Sequence, residues 1–366
     1  MTPSLPATGG VHGGMSRIRL LVAGAVVAAA ALAVPALASA DTVATPGAPT
    51  DVREFGGTIV FSQFDPAQNQ YFLTVRRAGA AAPERLPVAP SGRTFDADIG
   101  PDSNGNPELI YQRCSPPPGV PRGCDLFVLS LSGTTGERPV RNANDPDHND
   151  TNATIWRGRI AWSRDYGAGS EPNPIVYTKT LTAPRSQPSR RLPGVPQRRT
   201  GDVDTNVSGP TTGRTVQDLE LWGENLALTV SYGCGGCSGI DQSELRLDDL
   251  GDGTARQVAF QVVGLSGQTL VGPSFFAGRL GWYKACLGDP GGCGQGQGGP
   301  FRYALTSGAY QRGTPGPARV DGFADTGTTL YEVVGCSEET AGDVNAACRI
   351  DAVVAPDYTA TRPPLR

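Results

Sequence analysis

Gly158-Arg159-Ile160-Ala161-Trp162 and Gly278-Arg279-Leu280-Gly281-Trp282 are two copies of one short pattern, a glycine turn followed by a β-prone run. The pattern returns with variation as Gly57-Thr58-Ile59-Val60-Phe61, Leu109-Ile110-Tyr111, Leu226-Ala227-Leu228 and Thr329-Leu330-Tyr331. With Ile59, Leu109, Ile160, Leu226, Leu280 and Leu330 as markers, the spacings are 50, 51, 66, 54 and 50 residues. Self-similarity at such a period is the mark of a repeat architecture.

Working outward, each marker run is preceded by one short β-prone segment and followed by another, and a weaker fourth follows a polar turn in the first four units. No long segment outside the N-terminal leader shows helical periodicity. Four short strands per unit, repeated six times, predict an all-β six-bladed β-propeller with about four antiparallel strands per blade. The expected blades are about 50–90, 91–141, 142–194, 210–262, 266–315 and 317–366. One or two β-sandwich domains are the rival; a sandwich needs short strands too, but not six four-strand units. Residues 41–49 read as a short N-terminal linker, because Pro46 and Pro49 argue against a strand there.

The units resemble those of the TolB-like six-bladed propellers of the bacterial envelope. Gly100-Pro101-Asp102 and Trp156-Arg157-Gly158 are the nearest fragments to that family's Ser-Pro-Asp-Gly turn, and the resemblance covers residues 50–366. It implies an exported propeller. No helical N-terminal domain precedes the blades, so the resemblance does not imply a role in the Tol system itself.

The N-terminus is read as an address. A basic Ser16-Arg17-Ile18-Arg19 stretch, an apolar run over 20–37 and the small-residue site Ala38-Ser39-Ala40 have the order of a secretory signal peptide. Residues 1–40 are assigned to it, with 1–14 upstream of a start at Met15. An uncleaved anchor is the alternative, since the run is just long enough to span. No later stretch is apolar enough to span a bilayer, so cleavage leaves no membrane span. The expected location is secreted, extracellular or a periplasmic-type envelope space.

Eight cysteines form four local pairs: Cys114/Cys124, Cys234/Cys237, Cys286/Cys293 and Cys336/Cys348. Each pair sits between the second and third strands of a unit. In an exported chain, disulfides are the natural reading. Cys234-Gly235-Gly236-Cys237 has the spacing of zinc and redox centres as well, but a zinc site needs a second nearby pair, and the others lie in other blades.

Charged residues are 18% of the chain and the formal net charge is −4, which argues against a nucleic-acid binder. Histidine occurs twice, at His12 and His148. There is no G-x-S-x-G elbow and no H-E-x-x-H helix, so no catalytic residue is assigned. The densest polar cluster is Asn144-Asp145-Pro146-Asp147-His148-Asn149-Asp150. Its acids Asp145, Asp147 and Asp150 are candidate calcium ligands, because hard oxygens suit that ion; a solvated acidic turn is the plainer reading. No other cofactor is implied. Asp248, Asp249, Asp252 and Gly253 read as a turn. Trp156, Trp162, Trp222 and Trp282 read as packing between blades rather than as sugar platforms.

Loops joining second to third strands emerge on the same face as loops joining one blade to the next. That face carries the four cysteine loops and the long connections at 141–151 and 194–215, and function concentrates in such loops. The sequence therefore reads as a non-catalytic, monomeric binding or scaffold module for a protein or envelope polymer. The alternatives are a carbohydrate-active hydrolase or lyase with paired carboxylates, which requires two acids converging at the channel mouth, and a structural envelope protein.

Overall fold

The computed structural model describes residues 40–362, apart from 115–122, 134–135, 142, 146, 167–173, 185, 193–213, 234–239, 264–266, 287–297, 318 and 337–347. The expected signal peptide lies outside the described residues except for Ala40. Among the described residues no helix is long and apolar enough to cross a membrane.

The chain is a six-bladed β-propeller of antiparallel sheets. After β1 (Asp41–Ala44), blade one is β2 (Val52–Phe55), β3 (Thr58–Asp65), β4 (Gln70–Arg76) and β5 (Glu84–Arg85). Blade two is β6 (Ala97–Pro101), β7 (Pro107–Cys114), β8 (Cys124–Ser130) and β9 (Arg138–Pro139). Blade three is β10 (Asn149–Trp156), β11 (Arg159–Asp165), β12 (Pro174–Thr180) and β13 (Arg190–Arg191). Blade four is β14 (Arg214–Trp222), β15 (Asn225–Gly233), β16 (Ile240–Asp249) and β17 (Ala255–Val262). Blade five begins with β18 (Gln268–Phe276), β19 (Arg279–Cys286), β20 (Gly299–Ala304) and β21 (Tyr310–Arg312). Blade six contains β22 (Gly322–Asp325), β23 (Thr329–Val334) and β24 (Arg349–Val354), and β25 (Thr359–Thr361) follows.

The first strand of each blade touches the first strands of its neighbours, including β2 against β22, so these six strands form the inner wall of a closed ring. Blades stack face to face, and the second strand is covered on both sides. That is why β15 is buried almost from end to end, whereas β5, β9 and β13 at the rim are exposed. All six marker residues are at most 1% exposed. The apolar core is accordingly six separate clusters, one per interface: Ile110 and Leu126 of blade two meet Ile155 and Ile160 of blade three, for example. Close inner-strand contact excludes side chains in places: a Cβ on Gly100 would overlap the Ile155 carbonyl.

Two features correct the sequence reading. The stretch 41–49 is not merely a linker. Its first residues form β1, the outermost strand of blade six, with Asp41 opposite Ala352 and Thr42 opposite Asp351. Pro46 and Pro49 lie beyond this strand and do not interrupt it; the Pro46 carbonyl accepts the Phe64 amide at 2.7 Å. The C-terminal β25 leaves blade six, where the reading had placed it, and pairs with β21 as a fifth strand of blade five. β1 thus pairs with the last blade and closes the ring, while β25 reaches back to the preceding blade.

The expected disulfides Cys114–Cys124 and Cys336–Cys348 are formed. Cys286 is disulfide-bonded; Cys293 and the pair Cys234/Cys237 lie outside the described residues.

Candidate functional site

The inner wall is built in tiers. The strand register places Glu54, Ile99, Ile155, Leu221, Phe275 and Asp325 opposite the six markers. One residue earlier stand Arg53, Asp98, Thr154, Glu220, Ser274 and Ala324, a middle tier of mostly polar groups. Two residues earlier again, toward the loop face, stand Asp51, Asp96, Asn152, Asp218, Gly272 and Gly322. Side chains two apart on a regular strand share a face, which puts Asp51 with Arg53, Asp96 with Asp98 and Asp218 with Glu220; bulges interrupt the alternation at Asn152 and Gly272.

The middle tier clasps neighbouring blades. Asp98 Oδ2 accepts the Ile155 amide at 2.8 Å and the Thr154 hydroxyl at 2.7 Å. Thr154 Oγ1 in turn accepts the Leu221 amide at 2.9 Å. Glu220 accepts the Phe275 amide, and Ser274 Oγ accepts the Asp325 amide at 3.0 Å. Each bond runs from a tier residue to the next blade, satisfying a backbone donor that the wall would otherwise bury.

Arg53 breaks the pattern, because a cation cannot accept an amide. It donates instead across the ring to Asp218 of blade four, and its Nε lies 3.7 Å from Glu220. Its side chain is only 4% exposed. Around this one arginine stand five carboxylates: Asp51, Asp96, Asp98, Asp218 and Glu220. Burial holds Glu220 well above the usual carboxylate range, with repulsion from Asp98 adding to the effect. Burial likewise raises Asp51 and Asp98 against the attraction of Arg53. Asp96 is pushed up to about 7, first by burial and then by Asp51. The channel wall is an acid cluster around one buried guanidinium, and burial raises several of its carboxyls above their usual range.

On the loop face the channel opens beside a pocket of about 260 Å³, shared by blades four, five and six with Asp51 of blade one. Its polar lining includes Asp51, Asp218, Thr229, Ser231, Arg319 and Asp321, and none of the described residues lining it is aromatic. A larger hollow of about 580 Å³ lies at the outer rim between blades two and three. Three of its four charged groups are engaged elsewhere: Glu137 with Arg113 at 2.7 Å, Arg138 with Glu108 at 2.7 Å, and Lys179 Nζ with the Gln187 carbonyl at 2.7 Å. The mouth of the channel is therefore the candidate site.

Of the proposed calcium ligands, Asp145 and Asp150 are brought together, but around a guanidinium. Arg164 donates to Asp145 at 2.9 Å and to Asp150 at 2.8 Å. Asp150 is fully buried and also accepts the Trp162 indole at 2.9 Å and the Asp145 amide at 2.9 Å. Asp147 is exposed. Among the described residues no three His, Cys, Asp or Glu side chains converge as a metal site. The cluster acts as a clip: Asn144 and Asn149 accept amides of Leu126 and Gly123 in blade two, at 2.8 and 3.0 Å. His148 packs on Tyr166 at 4.3 Å, its Nδ1 3.1 Å from Asp145.

The tryptophans divide in two. Trp162 and Trp282 are buried inside blades, stacked on Tyr177 and Phe301. Trp156 and Trp222 join Phe55 and Phe275 in a half-buried arc on the mouth opposite the loop face, with successive centroids 6.2, 5.9 and 6.3 Å apart. The channel acids are absent from the sequence reading. Their signal is the polar alternation Asp51-x-Arg53, Asp96-x-Asp98, Asn152-x-Thr154 and Asp218-x-Glu220 in the first strand of successive units.

No protein-family model and no curated protein matches this sequence. Among solved structures the chain is similar to TolB from Acinetobacter baumannii, with 13% identity, 83% of this chain and 65% of that chain covered, and a TM-score of 0.42. It thus spans less than two thirds of the TolB chain. It is similar to an α-L-arabinanase from Penicillium chrysogenum complexed with arabinobiose, with 12% identity, coverage of 86% and 98%, and a TM-score of 0.46. It is also similar to an oligogalacturonate lyase in complex with manganese, with 10% identity, coverage of 87% and 94%, and a TM-score of 0.44. At these identities the likeness is one of fold.

Proposed function

We propose that the chain is an exported binding module that holds a protein partner on the face formed by its second-to-third and blade-to-blade loops. The polar pocket beside the channel mouth carries this reading, because it opens on that face between strand ends held by a closed ring. Disulfides at two of the loop bases agree with an oxidising, extracytoplasmic setting. Pre-ordered loops lower the entropy cost of association.

The test is site-specific photo-crosslinking of the tagged mature protein in its own cells. Crosslinkers at Arg93 and Arg141 on the loop face should capture one dominant protein. Crosslinkers at Asn104 and Glu224, in first-to-second-strand turns on the other face, should not. Capture from the other face, or of envelope polymer alone, overturns the reading.

A second reading rests on the convergence of Asp51, Asp96, Asp98, Asp218 and Glu220 on Arg53. A carboxyl poised near 7, as Asp96 is, suits general acid–base work at neutral pH. On that reading the chain cleaves a polysaccharide, and Asp96→Asn abolishes turnover while the protein stays folded. A polysaccharide screen without turnover removes it.

A further inference from the structure

We infer that the pocket at the channel mouth is a socket for a cationic side chain, arginine or lysine, projected by the protein partner. The inference rests on the binding-module reading and names the chemistry of the contact.

Two buried hydroxyls lead to it. Thr229 and Ser231 line the pocket from β15 and are 2% and 4% exposed. Neither Thr229 Oγ1 nor Ser231 Oγ has a hydrogen-bond partner in the structure. Buried polar groups are nearly always paired, and an unpaired one is costly. These two are positioned to accept N–H donors from a ligand that enters the pocket.

The field selects the charge of that ligand. Asp51, Asp218 and Asp321 border the pocket, Asp96 stands in the same tier as Asp51 and Asp218, and Asp98 and Glu220 lie one tier deeper. The balancing cations are Arg53, bound to Asp218, and Arg319, 3.2 Å from Asp321. In formal charge the three bordering acids outnumber these two cations, and a low-dielectric wall strengthens the field at the mouth. Among the described residues no three acidic side chains are placed to hold one metal ion, so the acids around the mouth suit diverging N–H donors on an organic cation better than a compact metal ion. The described lining is polar and aliphatic, with hydroxyls and carboxylates where a sugar site would offer a stacking ring.

The size selects a single side chain. A volume of 260 Å³ is below the usual 300–1,000 Å³ of small-molecule sites and holds about nine waters at roughly 30 Å³ each. Gly272 lines the pocket where blades five and six approach closely. It is held at φ +51°, and a Cβ there would stand 2.9 Å from the Phe323 carbonyl.

The experiment titrates the mature protein with N-acetyl-arginine amide, N-acetyl-lysine amide and the uncharged isostere N-acetyl-citrulline amide, followed by NMR. The arginine or the lysine probe, or both, should bind saturably, and citrulline at least tenfold more weakly. Asp321→Asn should weaken the cation about fivefold or more. Thr229→Val should weaken it severalfold with an unchanged or raised Tm, because no protein partner of the hydroxyl is lost. Arg319→Gln should tighten it. Equal binding of citrulline, no saturable binding of either cation to folded protein, or variants that bind like wild type would each overturn the socket.

The crosslinking experiment separates the two ideas. If Asp321→Asn protein still captures the same partner through Arg93 with undiminished yield, the socket is wrong and the binding module stands. If the cation probes bind as expected but wild-type protein captures no protein partner, the module reading fails and the socket remains a cation site.

Discussion

Arg53 of blade one and Asp218 of blade four, 165 residues apart in sequence, are joined by a buried hydrogen bond across the central channel. Blades one and four are opposite members of a ring of six, so this contact ties the ring through its centre. It also supplies the channel acids with their one internal counter-charge. The candidate site is built around that charge, and several consequences can be measured.

Removing the arginine should be costly in a pH-dependent way. Arg53→Met leaves Asp218 and Glu220 without their cation, and breaking a buried pair on one side typically costs about 3–5 kcal/mol. The loss should be near that size at pH 8 and distinctly smaller at pH 5.5, where the raised carboxyls of the channel hold protons. Urea unfolding at the two pH values measures it; an equal loss at both would mean that the acids are not charged around Arg53.

Asp96 should make the fold less stable as pH rises. Its folded pKa is about 7 against an ordinary 3.8, so between those values the folded state binds more protons than the unfolded one. Stability then declines from about pH 4 to pH 7 and levels off above. Asp96→Asn should flatten this decline by an amount of the order of a few kcal/mol at pH 8. Glu332, also raised to about 7 by burial beside Asp351, contributes a decline of the same sign that the variant leaves in place. Unchanged melting curves for Asp96→Asn across pH 5 to 8 would contradict the assignment.

The acidic loop opening blade three should separate into structural and dispensable residues. Asp150→Asn weakens the contact with Arg164 inside a buried network and should cost about 2–4 kcal/mol. Asp147→Asn, at an exposed position, should change stability by no more than about 0.5 kcal/mol. Thermal unfolding of both variants, compared in one buffer, decides between a clip and a surface turn.

Ring closure should depend on β1. Thr42 Oγ1 donates to Asp351 Oδ1 at 2.8 Å, and Thr42→Val should cost about 1 kcal/mol. Deleting 41–45 removes the whole closing strand and exposes the edge of β24. The expected outcome is a markedly lower Tm and protease cleavage beginning in blade six. Cleavage that begins elsewhere would show that the ring does not rely on this strand.

Local order was legible in the sequence because it is local. Glycine turns and runs such as Leu226-Ala227-Leu228 report which segment is covered on both sides, and each of the six marker residues falls in the second strand of a blade. Cys114–Cys124 and Cys336–Cys348 were readable for the same reason, since each joins neighbouring strands across a short loop. The acids of the first strands were visible as an alternation, but alternation alone does not tell a channel wall from a solvent face.

What the sequence determined by itself is therefore the blade: its strands, its apolar centre and the loops stapled at its edge. What only the tertiary structure decided is everything that crosses the ring. Asp41–Ala44 finds Ile350–Ala352, Thr359–Thr361 returns to blade five, Arg53 reaches Asp218, and four blades assemble one pocket. The pattern within a strand follows from nearest-neighbour burial. Contacts across a closed ring depend on how six wedges meet, and no local period in the chain encodes that meeting.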